Sequence, residues 1–95
     1  MAIAAITTVT HTAVTVGAAT TVAKAANADR KWLLLVNDSD ETVYVKIGAA
    51  AVLNQGIRLN AAGGSLELTD RSLYVGAVNC ICASGGKILL VSEGV

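Results

Sequence analysis

His11 is the single histidine of this 95-residue chain, and no cysteine or carboxylate stands near it in the sequence. A histidine acts as a general base only when a substrate proton lies within reach and a second group orients the imidazole. Its neighbours, Thr10 and Thr12, supply no such group. We therefore interpret His11 as a solvated histidine on a strand.

Cys80 and Cys82 stand two residues apart, so on a strand both side chains would lie on one face. A disulfide between them would strain a regular strand, and a zinc site would need two further ligands in a chain with one histidine. We predict two buried thiols, because free cysteine is among the most buried residue types. Such thiols are typical of a protein made in a reducing compartment.

Other polar clusters are typical of turns or of the surface. The acidic run at residues 38–41 offers oxygen ligands for calcium, but it lacks the spacing, the glycine and the distal carboxylate of a calcium loop. Gly63 and Gly64 lack the following helix and the lysine of a phosphate loop. Arg30, next to Asp29, is interpreted as part of a surface ion pair or an interface contact. We expect no catalytic residue, no cofactor and no metal ion, and no enzymatic activity.

The composition predicts a small domain that associates. Apolar residues make up 54% of the chain, yet it has no Phe, one Trp and two Tyr, so most of this fraction is small. Only 15% of the residues are charged, against about 25% in typical soluble domains, and the mean hydropathy is +0.61. We expect copies of the chain to cover part of this apolar surface. The net charge is zero and the basic residues do not cluster, which argues against nucleic-acid binding.

Residues 1–23 contain no charged side chain, but threonines and His11 interrupt the apolar positions. A signal peptide would need a basic start and an unbroken apolar run, and a membrane span would need about 20 mostly apolar residues. We expect neither. The β-branched residues predict extended structure instead.

Short runs rich in Val, Ile, Leu and Thr alternate with clusters of Gly, Asn, Asp and Ser, and the chain has no Pro. This rhythm predicts an all-β fold, a small β-sandwich or jelly-roll-like barrel with an extended N-terminal arm. The predicted strands are residues 3–10, 12–16, 20–24, 31–37, 42–47, 57–59, 65–68, 77–83 and 87–92.

Residues 30–48 predict a β-hairpin at the centre of the fold, because two strands flank a polar turn. A second hairpin is predicted around residues 84–86, between the last two strands. Both faces of strand 31–37 carry large apolar residues, so we expect it to be central or covered on both sides. Residues 48–55 are the only stretch with helical propensity, and they are too short for more than a turn or a loop.

The composition changes near residues 24–29 and divides the chain into an Ala/Thr/Val-rich arm with the first strands, residues 1–24, and a compact β domain, residues 25–95. We interpret at least the first ten residues as an arm that adds a strand to a neighbouring subunit, because small β-branched residues pair through the backbone without a pocket. The alternative is an ordinary edge strand of the same domain. The predicted contact residues are Ile3, Ile6, Val9, Val14, Val16 and Tyr44.

Residues 27–94 resemble a pattern found in small structural proteins of tailed bacteriophages and prophages. The shared features are an Asn-x-x-Arg approach, a Trp/Leu-rich strand ending in Asn-Asp-Ser, a Val-Tyr-Val strand, Gly-Ile-Arg-Leu, Gly-Gly-Ser and a closing Gly-Ala-Val strand. They lie at residues 27–30, 32–39, 43–45, 56–59, 63–65 and 76–78. These are turn and core features, so the resemblance transfers no catalytic residue.

The resemblance implies a virion protein assembled in the host cytoplasm, first of all a capsid decoration or cement protein. Its partners would be the major capsid protein and copies of itself in a trimer, with no nucleic acid, membrane or small-molecule substrate. Two alternatives stay open: an adaptor or host-recognition protein of the tail, neck or a fibre, and a carbohydrate-binding β module. The latter would need exposed aromatic platforms, for which the chain offers only Trp32, Tyr44 and Tyr74.

Overall fold

The computed structural model describes residues 5–95, which form eight β-strands and, within that range, no helix. The strands are β1 (Val9–Val16), β2 (Thr21–Lys24), β3 (Trp32–Asn37), β4 (Val43–Ile47), β5 (Ile57–Leu59), β6 (Ser65–Leu68), β7 (Val78–Cys82) and β8 (Lys87–Gly94). They form two antiparallel sheets, sheet A in the order β1-β8-β3-β6 and sheet B in the order β2-β7-β4-β5. The predicted all-β fold is confirmed, and the architecture is that of a small β-sandwich.

The core lies between the sheets and follows the alternation of side chains along each strand. In β3, Leu33 and Leu35 are fully buried, whereas Leu34 points to the opposite face and is half-buried. β3 lies inside sheet A, as its two apolar faces predict. Cys80 and Cys82 of β7 face the same core, with both thiols free and buried as predicted. Each fully buried Leu or Val stabilises the fold by about 1.5–3 kcal/mol relative to an exposed one.

Both predicted hairpins are wrong. β3 pairs with β6 and β8, whereas β4 pairs with β5 and β7, so the connection at residues 38–42 crosses from sheet A to sheet B. β7 and β8 are divided between the sheets in the same way. Gly85 and Gly86 lie in this second crossing and both have positive φ, which glycine adopts without strain. Residues 48–55, by contrast, form a loop as predicted.

The side chain of Asn37 stabilises the crossing after β3. It is fully buried, and its Nδ2 donates to the backbone oxygens of Glu41 at 2.7 Å and of Leu59, in sheet B, at 3.0 Å. Because a buried amide needs such partners, the end of β3 is held against sheet B. The second crossing is tied to the first by Ser84, whose N–H and hydroxyl each donate to the Glu41 carboxylate at 2.7 Å.

The described part of the predicted arm belongs to the sandwich. β1 pairs with β8 along its whole length, and β2 pairs with β7 with a bulge between Val22 and Lys24. For residues 9–16 the structure therefore has an edge strand of the same domain, which is the alternative to an arm given to a neighbour. Residues 5–8 continue beside the last residue of the chain, where the N–H groups of Thr7 and Thr8 donate to the Val95 carbonyl.

Arg30 is a buried connector, which corrects its interpretation as a surface charge paired with Asp29. Its Nε donates to the Glu93 carboxylate of β8 at 2.7 Å. The remaining donors hold three backbone carbonyls, those of Ala25, Tyr74 and Gly76, at 2.7–2.9 Å. The guanidinium thus fastens two loops to sheet A. A buried ion pair is tolerated when its remaining hydrogen-bonding groups are satisfied in this way.

Candidate functional site

The outer face of sheet A carries a group of apolar side chains, which we name the sheet A patch. Its centre is formed by the two inner strands of the sheet, where Val36 of β3 stands opposite Leu90 of β8. Leu90 is 39% exposed, and Val36 is half-buried. The patch consists of Ala13, Trp32, Leu34, Val36, Ile88 and Leu90. None of these side chains carries a charge.

The rim of the sheet A patch is polar. On one side Glu67 of β6 stands opposite Leu34 and accepts a hydrogen bond from Trp32 Nε1 at 2.7 Å. On the other side is His11 of the edge strand β1, whose Nδ1 atom lies 2.7 Å from the hydroxyl of Ser92, a polar residue that stands opposite Leu34 on β8. The bond to Glu67 fixes the indole at the edge of the patch. An apolar centre with a polar rim is the usual anatomy of a protein–protein contact surface.

The outer face of sheet B is more polar. Lys46 and Asn79 stand opposite each other on it, as do Tyr44 and Arg58. Two of these side chains hold the loop at residues 48–55: the Tyr44 hydroxyl bonds to Asn54 Oδ1 at 2.8 Å, and Asn79 donates to the Ala49 carbonyl. This face therefore presents two charged side chains, Lys46 and Arg58, beside two hydrogen-bonding groups that are engaged with the loop.

The structure does not bring the predicted contact residues together. Ile6 and Val9 are each 42% exposed, and Ile6 packs on Gly94, where an added Cβ would come within 2.9 Å of it. Val14 is half-buried against the core, and Val16 is fully buried, so Val16 is a core residue rather than a contact residue. The other two are Tyr44, on the outer face of sheet B, and Ile3, which lies outside the described residues.

Sequence reasoning missed the sheet A patch, although its signal was present. The apolar residues on both faces of strand 31–37 predict a strand that is central or covered on both sides. The structure makes β3 central, but one of its faces is only half-buried. Leu90 adds to that face from β8, which no local pattern connects with β3.

The side chains that could act in catalysis or metal binding lie apart from one another or are kept in an unreactive form. Burial raises the pKa of the Cys80 thiol to about 12, with a further contribution from the neighbouring Cys82, so Cys80 is protonated and unreactive at neutral pH. Among residues 5–95, no three His, Cys, Asp or Glu side chains are grouped so that they could hold a metal ion. The part of the chain that the structure describes has no helix long and apolar enough to cross a membrane.

The acidic run at residues 38–41 stabilises the crossings between the sheets. Asp40 forms an ion pair with Lys87 at 2.7 Å, which lowers the pKa of the Asp40 carboxyl. The two hydrogen bonds from Ser84 lower the pKa of Glu41. The two carboxylates are thus directed at different partners rather than at one cation.

No family model matches the chain, and no curated protein or solved structure gives a significant match. The resemblance to structural proteins of tailed phages stays a prediction. The sheet A patch is accordingly the feature from which a function is proposed.

Proposed function

We propose that this chain is a structural protein of a tailed-bacteriophage virion that binds the lattice of the major capsid protein through the sheet A patch, without enzymatic activity. The resemblance of residues 27–94 to phage structural proteins supplies the class of assembly. The observation that carries the proposal is the uncharged apolar centre of the outer face of sheet A. Such a surface fits another protein better than it fits a nucleic acid or a small polar ligand.

The position of the sheet A patch makes it suitable for docking. β3 and β8 each have a neighbouring strand on both sides, so their backbone hydrogen bonds are satisfied within the sheet. The patch is therefore rigid, and docking it costs little conformational entropy. Burial of Leu90, Val36 and Leu34 would supply a modest driving force of about 25 cal/mol per Å² of apolar surface.

Modest affinity for each site is sufficient for a protein that stabilises a lattice. A ligand that binds only the assembled state lowers the free energy of that state by mass action. Many copies on one shell add their contributions, and contacts between copies raise the effective concentration of each. The apolar contact also predicts that attachment persists at high salt, since screening weakens charge pairs and not hydrophobic burial.

Mass spectrometry of purified virions from the phage or prophage that encodes the chain tests the class of function. We expect the protein in the particle at a copy number comparable with that of the major capsid protein. A much smaller copy number would move it to the tail, neck or a fibre, which is the second candidate. Absence from the particle would refute both.

Two matched substitutions test the binding surface. Leu90→Lys places a charge at the centre of the sheet A patch, and Val22→Lys places one on the outer face of sheet B, where Val22 is 54% exposed. In a pelleting assay with capsids that lack the protein, we expect Leu90→Lys to weaken binding about tenfold or more. Val22→Lys should bind like the wild type, and circular dichroism should show both variants folded. Equal binding by both variants would exclude the sheet A patch.

A further inference from the structure

The four edge strands in the described part of the chain are not equally protected against pairing with another strand. β5 and β6 have three and four residues, and each carries a charged residue, Arg58 and Glu67. β2 has four residues, contains Lys24 and is interrupted by a bulge. β1 has eight residues, with no charge and no proline. Short length, charge and bulges are the usual defences of a sheet edge, and β1 has none of them.

The hydrogen bonds at the start of β1 show which of its backbone groups are open. Thr8 and Val95 exchange both of their backbone bonds, Thr8 N to Val95 O at 3.1 Å and Val95 N to Thr8 O at 2.9 Å. Hydrogen-bonded pairs alternate along an antiparallel ladder, so the even-numbered residues of β1 bond to β8. The odd-numbered residues direct their N–H and C=O groups to the open edge. They are Val9, His11, Ala13 and Thr15, and all four are exposed.

We propose that two copies of this chain pair through β1, antiparallel and about a two-fold axis at Thr12. In this register Val9 forms a hydrogen-bonded pair with Thr15 of the second copy, and His11 does so with Ala13. All four open residues of each strand are then paired. Thr12 stands opposite Thr12 of the second copy in a pair without backbone hydrogen bonds, where side chains come closest.

The occupant of this edge is a second copy rather than a foreign strand. Strand addition draws its affinity from backbone bonds and its specificity from side-chain pockets. Apart from His11, the side chains of β1 are small, and most of them are exposed, so the edge offers no pocket that would select a foreign sequence. A second β1 strand carries no charged residue, so pairing two of them brings no like charges together. A two-fold interface places the same surface on both partners.

The pairing would join the two copies of sheet A into one eight-stranded sheet. Because the two-fold axis runs perpendicular to that sheet, both sheet A patches lie on the same side. A dimer with two patches binds a lattice more tightly than a monomer does. This consequence rests on the proposed function, whereas the pairing itself does not. The pairing through β1 also favours a dimer over the trimer that the resemblance implies.

Cysteine cross-linking tests the register. Thr12→Cys places two thiols opposite each other across the axis, and mild oxidation should convert most of the protein to a covalent dimer. Thr10→Cys is the matched control, because Thr10 faces Val14 of the second copy. Thr10 of the second copy lies several residues away along the strand, beyond the reach of a disulfide. Wild-type protein, with Cys80 and Cys82 buried, provides the blank. Equal cross-linking of the two variants would overturn the register.

Analytical ultracentrifugation over a concentration series tests the dimer itself. We expect the wild type to dimerise and Thr12→Lys to raise the dissociation constant at least about tenfold, because two lysines then stand opposite each other. Thr10→Lys, which is not opposed by a lysine, should have a smaller effect. A monomer at all concentrations, a trimer, or a dimer insensitive to Thr12→Lys would overturn the proposal. A dimer that does not bind capsids would leave the pairing intact and refute only the proposed function.

Discussion

The outer faces of the two sheets differ although their inner faces are alike. On sheet A the two inner strands present Leu34, Val36 and Leu90, and Glu67 lies at the rim. On sheet B, Lys46 and Arg58 lie on the face itself. The core is complete without the outer side chains of either sheet, so folding does not require this difference. The apolar character of the outer face of sheet A is therefore the observation on which the proposed contact with another protein rests.

The largest expected effect comes from a substitution that removes the support of both sheets. Arg30 fastens two loops to sheet A, and without it the sheets, and the difference between their outer faces, would be lost. Arg30→Ala would leave the Glu93 carboxylate buried without its main partner, and three carbonyls would lose their donor. We expect the free energy of unfolding to fall by about 3–5 kcal/mol, enough to unfold a marginal domain. Urea denaturation followed by circular dichroism measures it. The exposed Arg71→Ala variant is the control, with an expected change within about 0.5 kcal/mol. A loss below about 1 kcal/mol for Arg30→Ala would contradict the assigned role.

Two neighbouring leucines of β3 sharpen the contrast between inner and outer faces. Leu35→Ala leaves a cavity in the core and should cost about 2–5 kcal/mol. Leu34→Ala removes a half-buried side chain from the sheet A patch and should cost about 1 kcal/mol or less. Thermal and urea unfolding of the pair would measure the difference. Similar losses for both would mean that the outer face is part of the core.

A smaller effect is expected on the outer face of sheet B. Tyr44→Phe removes the hydroxyl that bonds to Asn54 and leaves the ring in place. Because this bond is exposed, the free energy of unfolding should change by about 0.5 kcal/mol or less. Capsid pelleting by this variant should equal that of the wild type. Weakened pelleting would show that sheet B also takes part in attachment.

The smallest effect is a dependence on pH at the crossings between the sheets. Folding lowers the pKa of Asp40, through Lys87, and of Glu41, through Ser84, below their ordinary values of 3.8 and 4.5. The folded state then binds fewer protons than the unfolded state, so this stabilisation is present above the ordinary values and is lost as the pH falls through the lowered ones. We expect the melting temperature to decrease less on acidification from about pH 5 to about pH 3 in an Asp40→Asn, Glu41→Gln variant. Identical pH profiles would rule out this contribution.

Much of the local structure follows from the sequence. From β3 to β8 the observed strands begin and end within two residues of the predicted ones, because alternation and turn residues are local signals. The inward direction of Val43, Val45, Cys80 and Cys82 is also local, since a period of two leaves one face for the core. Val16 was predicted as a contact residue, but it lies in the core, because the same alternation places its side chain on the inner face with that of Val14.

The partners of the strands were not predictable in the same way. Chain proximity favours both hairpins, but the two strands of each belong to different sheets. The bonds that stabilise the crossings, from Asn37 to Leu59 and from Ser84 to Glu41, join residues that no local pattern connects. The sheet A patch was not predictable for a related reason. The sheet A patch joins β3 with β8, more than fifty residues away in the chain, and only the ladder between them brings Val36 to Leu90.

The amino-acid order by itself determined that this protein is made of short strands, where β2 to β8 lie and which side chains of each strand share a face. These are properties of neighbouring residues. The tertiary structure alone decided which strands pair, that Arg30 and Glu93 meet inside, and that an uncharged eight-residue strand ends up at an open edge. Those outcomes depend on contacts between distant segments, whose free energies are settled only when the two sheets pack together.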